Sequence, residues 1–145
     1  MTTGPGPGAP GRLCLAIRAS PAGIAEAQPR LRGFLDARGL PPRLGDRAEL
    51  LVEEAVMNIA MHGFEDATGI VVDLALEAGP DSCTLVFEDG GRAFDPTRGE
   101  LPGRPRSLAE AEPGGLGLVL MRRLARELVY ERLPEGRNRL RVVIA

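Results

Sequence analysis

Residues 53–63 read Glu53-Glu54-Ala55-Val56-Met57-Asn58-Ile59-Ala60-Met61-His62-Gly63, and the fold turns on reading them as the second half of a helix. Leu51, Val52, Ala55, Val56 and Ile59 recur at helical spacing and form one apolar stripe. Asp46 followed three residues later by Glu49 has the form of a capping box, and Gly63 suits the C′ position, so the spacing predicts a helix over about 47–62. Glu54 and Asn58 stand four apart and share a face, with His62 one turn further on. Glu53 is rotated off that face. A carboxylate, a carboxamide and an imidazole in line beside a buried stripe are either a solvated helix face or a site.

The flanking sequence predicts the other elements. Residues 1–11 are rich in Gly and Pro and are expected to form a flexible tail, which leaves 12–145 as a single domain. Leu13, Leu15 and Ile17 alternate with more polar or smaller neighbours, as in a strand. Ser20-Pro21 reads as N-cap and first helical residue of a helix to about residue 38, with Pro29 expected to kink or break it and Gly39 to stop it. Leu40-Pro41-Pro42 reads as a loop. Two strands, 70–76 and 82–87, are joined by a turn-rich connection. A stretch rich in Gly, Pro and Arg runs from Asp89 to Gly117, longer than an ordinary connection and of the kind that carries function. A helix over about 116–126 and strands over 128–132 and 139–144 close the chain. The order β-α-α-β-β-loop-α-β-β predicts an α+β two-layer sandwich, a mixed and mostly antiparallel sheet with helices on one face.

Composition narrows the function. A formal net charge of −2 over 145 residues, with one Tyr and no Trp, argues against a nucleic-acid surface or a base-stacking platform. No apolar run reaches the roughly 18 residues of a membrane span, and no basic segment leads into an apolar one at the N-terminus, so a cytoplasmic protein away from the membrane is expected. Cys14 and Cys83 lack metal-ligand spacing and read as reduced, buried thiols.

Two further islands bear on chemistry. Asp89-Gly90-Gly91-Arg92-Ala93-Phe94-Asp95-Pro96 puts an acid at a strand end, followed by glycines. Gly114-Gly115-Leu116-Gly117-Leu118 opens a helix, where backbone N–H groups can approach an anion closely. Each alone reads equally well as a tight turn. No strand leads from a βαβ unit into the G-x-G, and there is no GxxxxGK[ST] run, so neither a Rossmann fingerprint nor a P-loop is present.

Taken together, the three islands resemble the GHKL (Bergerat) ATP-binding superfamily, and within it the small bacterial serine-protein kinases that act as anti-sigma factors in partner-switching systems. Residues 54–63 are similar to its N box, 89–96 to its first glycine box, 114–121 to its second, and Tyr130-Glu131-Arg132 with Gly136-Arg137-Asn138-Arg139-Leu140 to its final hairpin. The resemblance implies ATP and Mg²⁺ as cofactors. It makes Asn58 the metal ligand and Glu54 the general base. It gives Asp89 the adenine amino group, Gly91 the space beside the ring, and Gly115 and Gly117 the phosphates. Residues 92–113 would be a lid, with Arg92, Arg98, Arg104 and Arg106 as candidate phosphate contacts. Some members of the superfamily set a late-strand Thr against the nucleotide. Residues 139–145 hold no Thr or Ser, so the residue completing the adenine side stays unidentified.

A sensor histidine kinase needs a phosphoacceptor His on a dimerising helix, and His62 is the only His. A transducer domain of the kind the topoisomerase and chaperone relatives use is not expected after residue 145. What remains is an ATP-binding domain acting on another protein, and the resemblance implies a Ser/Thr kinase that phosphorylates a STAS-domain anti-anti-sigma antagonist, sequesters a sigma factor and forms a homodimer. The alternative is an ATP-binding module that sequesters its partner without chemistry.

Overall fold

The computed structural model describes residues 11–63, 69–98 and 115–145. Five strands and three helices follow in the expected order: β1 (Gly11–Arg18), α1 (Pro21–Ala37), α2 (Pro42–Gly63), β2 (Val71–Ala78), β3 (Cys83–Asp89), α3 (Gly115–Leu124), β4 (Glu127–Arg132) and β5 (Asn138–Ile144). The sheet runs β1-β2-β3-β5-β4, and all four pairings are antiparallel. The parallel component that a mixed sheet would contain is absent from the described residues. The final strand lies between β3 and β4, because the β4–β5 hairpin returns its second strand to the β3 edge.

The local signals explain most boundaries. Ser20 caps α1, its Oγ accepting the Gly23 N–H at 3.0 Å, and Pro21 follows at the first position. Gly39 ends the helix at φ +74°, where the Leu40 N–H reaches back to the Leu35 carbonyl. The helix continues unbroken through Pro29, whose ring lies on the exposed side. Gly11 pairs with Ala78, so the chain enters the sheet at the last residue of the expected tail, one residue earlier than expected; residues 1–10 lie outside the described region.

The start of α2 corrects the sequence reading. The helix begins at Pro42, not near residue 47. Proline needs no hydrogen-bond partner at a first helical position, so the Pro-Pro pair opens the helix rather than preceding it. Asp46 is therefore one turn inside and caps nothing. Asp46 and Glu49 instead hold the Arg32 guanidinium of α1, each at 2.6 Å. A third bond runs from Arg32 to the Pro42 carbonyl at 3.1 Å, closing a fork that clamps α1 to α2.

The helices cover one face of the sheet. Alternation along β3 sends Cys83, Leu85, Phe87 and Asp89 inward, and along β5 it sends Asn138, Leu140, Val142 and Ile144 inward. These rows meet Leu44, Leu51, Val52, Ala55 and Val56 of α2 in one core. The other face carries ion pairs across the strands, Arg12–Glu77, Arg137–Asp73, Arg139–Glu88 and Arg141–Glu127, around a strip of Cys14, Ala16, Ala75 and Val86. Cys14 is thus exposed, against the expectation of two buried thiols; Cys83 is buried, which pushes its thiol up to about 12.

Candidate nucleotide site

The inward rows of β3 and β5 end in polar residues. Asp89 is 2% exposed and Asn138 6%, and they face each other across the strand pair. A buried carboxylate requires donors, and Asp89 Oδ2 has two: the Gly91 N–H at 2.9 Å and Asn138 Nδ2 at 3.2 Å. The Gly91 bond turns the chain sharply after β3. The C-terminal end of α2 closes against this turn, where the Arg92 N–H donates to the Gly63 carbonyl at 2.8 Å. A Cβ on Gly63 would lie 3.6 Å from Asp89 Oδ2 and 3.7 Å from Gly91 Cα, so helix and turn are in van der Waals contact. His62 stacks on Phe94 with ring centroids 4.4 Å apart and planes 7° from parallel.

One and two turns back along α2 stand Asn58 and Glu54. Asn58 is 4% exposed, and its Oδ1 has no hydrogen-bond partner among the described residues. An orphaned buried oxygen costs free energy unless something else meets it. A neutral carboxamide oxygen suits Mg²⁺, which takes few protein ligands and fills its shell from water and phosphate. Among the described residues no group of three or more His, Cys, Asp or Glu could form a metal cage, so such an ion would depend on this kind of shared coordination. Glu54 is half-buried. Desolvation first, and repulsion from Glu53 second, raise its carboxyl above the usual range. That is the direction a proton acceptor working near neutrality needs.

The first residues after the turn are also anchored. Arg122 of α3 donates to the Pro96 carbonyl at 2.9 Å and to the Arg98 carbonyl at 2.7 Å, tying residues 96–98 to the helix that follows the glycine-rich stretch. Gly115 and Gly117 lie in the first turn of α3, where backbone N–H groups lack partners within the helix. Arg104, Arg106, Gly114 and most of the expected lid fall outside the described residues.

Glu54, Asn58, Asp89 and Gly91 therefore come from one helix and the strand end packed against its C-terminus. The sequence reading missed Asn138. Its signal was its phase: it stands two residues before Leu140, in step with the inward row of β5.

Comparison with known proteins identifies the family. Residues 17–144 match the histidine kinase-like ATPase domain family. The serine/threonine-protein kinase BtrW of Bordetella bronchiseptica is 38% identical over 98 residues, 68% of each chain. Among solved structures, the SiaB–SiaC complex of Pseudomonas aeruginosa aligns with a TM-score of 0.64 at 19% identity, covering 91% of this chain and 88% of that one. The RsbU and RsbW domains of Rv1364c from Mycobacterium tuberculosis align with a TM-score of 0.60 at 20% identity over 94% of this chain, which spans 32% of that longer protein. These two likenesses show the shared fold. No described helix is long and apolar enough to cross a membrane. The chain belongs to the histidine kinase-like ATPase domain family, with the GHKL fold, and is similar within it to the serine/threonine-protein kinase BtrW.

Proposed function

We propose that the chain is a Mg-ATP-dependent serine/threonine-protein kinase and anti-sigma factor. It transfers the ATP γ-phosphoryl group to a Ser or Thr of a STAS-domain anti-anti-sigma protein, and sequesters a sigma factor as a homodimer. The observation that carries the enzymatic reading is Glu54, half-buried and with its carboxyl pKa raised, one turn from a buried oxygen on Asn58 that has no partner among the described residues. A module that only binds ATP has no use for that acid.

When bound, Mg-ATP supplies the phosphoryl group and the cation that offsets its charge. Asp89 accepts the adenine amino group and Gly91 leaves room for the ring. Asn58 offers its oxygen to the cation. The first turn of α3, with Gly115 and Gly117, offers backbone N–H groups to phosphate. Glu54 orients the attacking hydroxyl and takes its proton as the oxygen–phosphorus bond to the acceptor forms and the bond to ADP breaks.

The test mixes the protein with γ-labelled Mg-ATP and the small antagonist captured from host lysate. Label is expected on a Ser or Thr of the antagonist, and Glu54→Gln is expected to abolish it while ATP still binds. No label with ATP tightly bound would establish the sequestering module instead.

A further inference from the structure

Asn138 does more than close the sheet. Its Nδ2 donates to Asp89 Oδ2 at 3.2 Å and to the Arg92 carbonyl at 2.8 Å, with the Gly91 carbonyl at 3.4 Å. Its Oδ1 accepts from the Tyr130 hydroxyl and, at 3.0 Å, from Arg132 Nη1. Arg132 Nη1 also donates to the Gly91 carbonyl at 2.8 Å. This network fixes which way the amide faces. Rotated by half a turn, it would set its NH₂ against the Arg132 guanidinium, which can only donate, and its oxygen against a carboxylate and two carbonyls. Arg132, on the edge strand β4, therefore determines that Asn138 presents a donor to Asp89, and the Tyr130 hydroxyl on the same strand holds the amide in place through its oxygen.

We propose that Asn138, held by Tyr130, is the positioning residue that sets base selectivity in the nucleotide site. The inference rests on reading Asp89 as the contact to the adenine amino group. An ionised carboxylate accepts from a 6-amino group and repels a 6-oxo group, so it separates ATP from inosine triphosphate only while its aim is fixed. With Oδ2 saturated by Gly91 and Asn138, the carboxylate cannot turn away from a mismatched base. Loosening that hold lets it rotate, and the 6-oxo nucleotide is then penalised less. The same amide holds the carbonyls of residues 91 and 92, so the turn on which the base would lie is fixed by the same side chain.

The experiment is equilibrium binding of ATP and of inosine triphosphate to the wild type, Asp89→Asn, Asn138→Ala, Asn138→Ser and Tyr130→Phe, with a thermal melt of each. The quantity read is the ratio of the two affinities, which general loss of stability does not change. The wild type is expected to prefer ATP, and Asp89→Asn to erase the preference. Asn138→Ala is expected to reduce the ratio about tenfold, the effect of one hydrogen bond to a charged group. Asn138→Ser, which keeps a donor, should recover part of it, and Tyr130→Phe should lower it about threefold. If Asn138→Ala does not fold, Tyr130→Phe decides. Folded Asn138→Ala and Tyr130→Phe variants with the wild-type ratio overturn the proposal. A wild type indifferent to the 6-substituent, or an Asp89→Asn variant that keeps the preference, removes the adenine reading itself and this inference with it.

Discussion

Asn58→Leu separates the cost of the site to the fold from its value to the ligand. The residue is 4% exposed and its Oδ1 has no partner among the described residues, so the fold bears the desolvation of a polar oxygen, about 1–2 kcal/mol. Leucine has the same branching and no polar atom. Its larger volume returns part of the gain as crowding, leaving a net stabilisation of about 1 kcal/mol. For a domain of this size that raises the melting temperature by about 4 °C. Saturating Mg-ATP, at about a hundred times its Kd, adds about 2.7 kcal/mol to the wild type. The variant should keep less than half of that increment if Asn58 holds the cation as proposed. The assay is thermal unfolding of both proteins with and without Mg-ATP, read by circular dichroism. A variant that melts below the wild type without nucleotide refutes the argument about the orphaned oxygen. A variant that gains as much from Mg-ATP as the wild type removes Asn58 from the cation site.

Four further outcomes follow from the geometry. Glu53→Gln removes a charge that raises the Glu54 pKa, so the acidic limb of the pH–rate profile should move to lower pH; an unmoved limb would mean that another group is the base. Because the Glu54 pKa is raised in the folded state, the native protein binds more protons than the unfolded chain between the two pKa values, and stability falls as pH rises through that window. Glu54→Gln should therefore flatten that slope in denaturant titrations across mildly acidic pH. Ellman's reagent should label one thiol, Cys14, quickly in the native protein, and Cys83 only on unfolding, since burial holds that thiol at about 12. Arg32→Ala should lower stability by about 1–2 kcal/mol in urea titrations, because it leaves Asp46 and Glu49 facing each other without their shared cation.

Much of this was legible in the chain because the signals were local. Ser20-Pro21 and Gly39 mark both ends of α1, and the helical period places Glu54 and Asn58 on one face without reference to the rest of the protein. The errors arose where the partner was distant. Asp46 and Glu49 imitate a capping box when read alone; their partner is Arg32, on the preceding helix. The Pro41-Pro42 pair carries two meanings, loop or helix start, and packing against α1 selects the second. Asn138 was missed because pairing is a property of two strands: nothing within residues 138–144 reveals that Asp89 lies opposite. The exposure of Cys14 was missed for a related reason, since alternation gives the two faces of a strand but does not say which one the helices cover.

The place of β5 between β3 and β4 has a consequence for how the molecule is made. The interior of the sheet is completed by β5, so a chain emerging from the ribosome carries an open β3 edge until residues 138–144 have been synthesised. That edge bears Leu85 and Phe87 on its inward side, the kind of surface on which unfinished chains associate. The pocket matures on the same schedule, because the donor that steadies Asp89 is the first residue of that strand. Nucleotide competence should then appear abruptly, only once β5 has been made, so that a product truncated before residue 138 has no properly formed site.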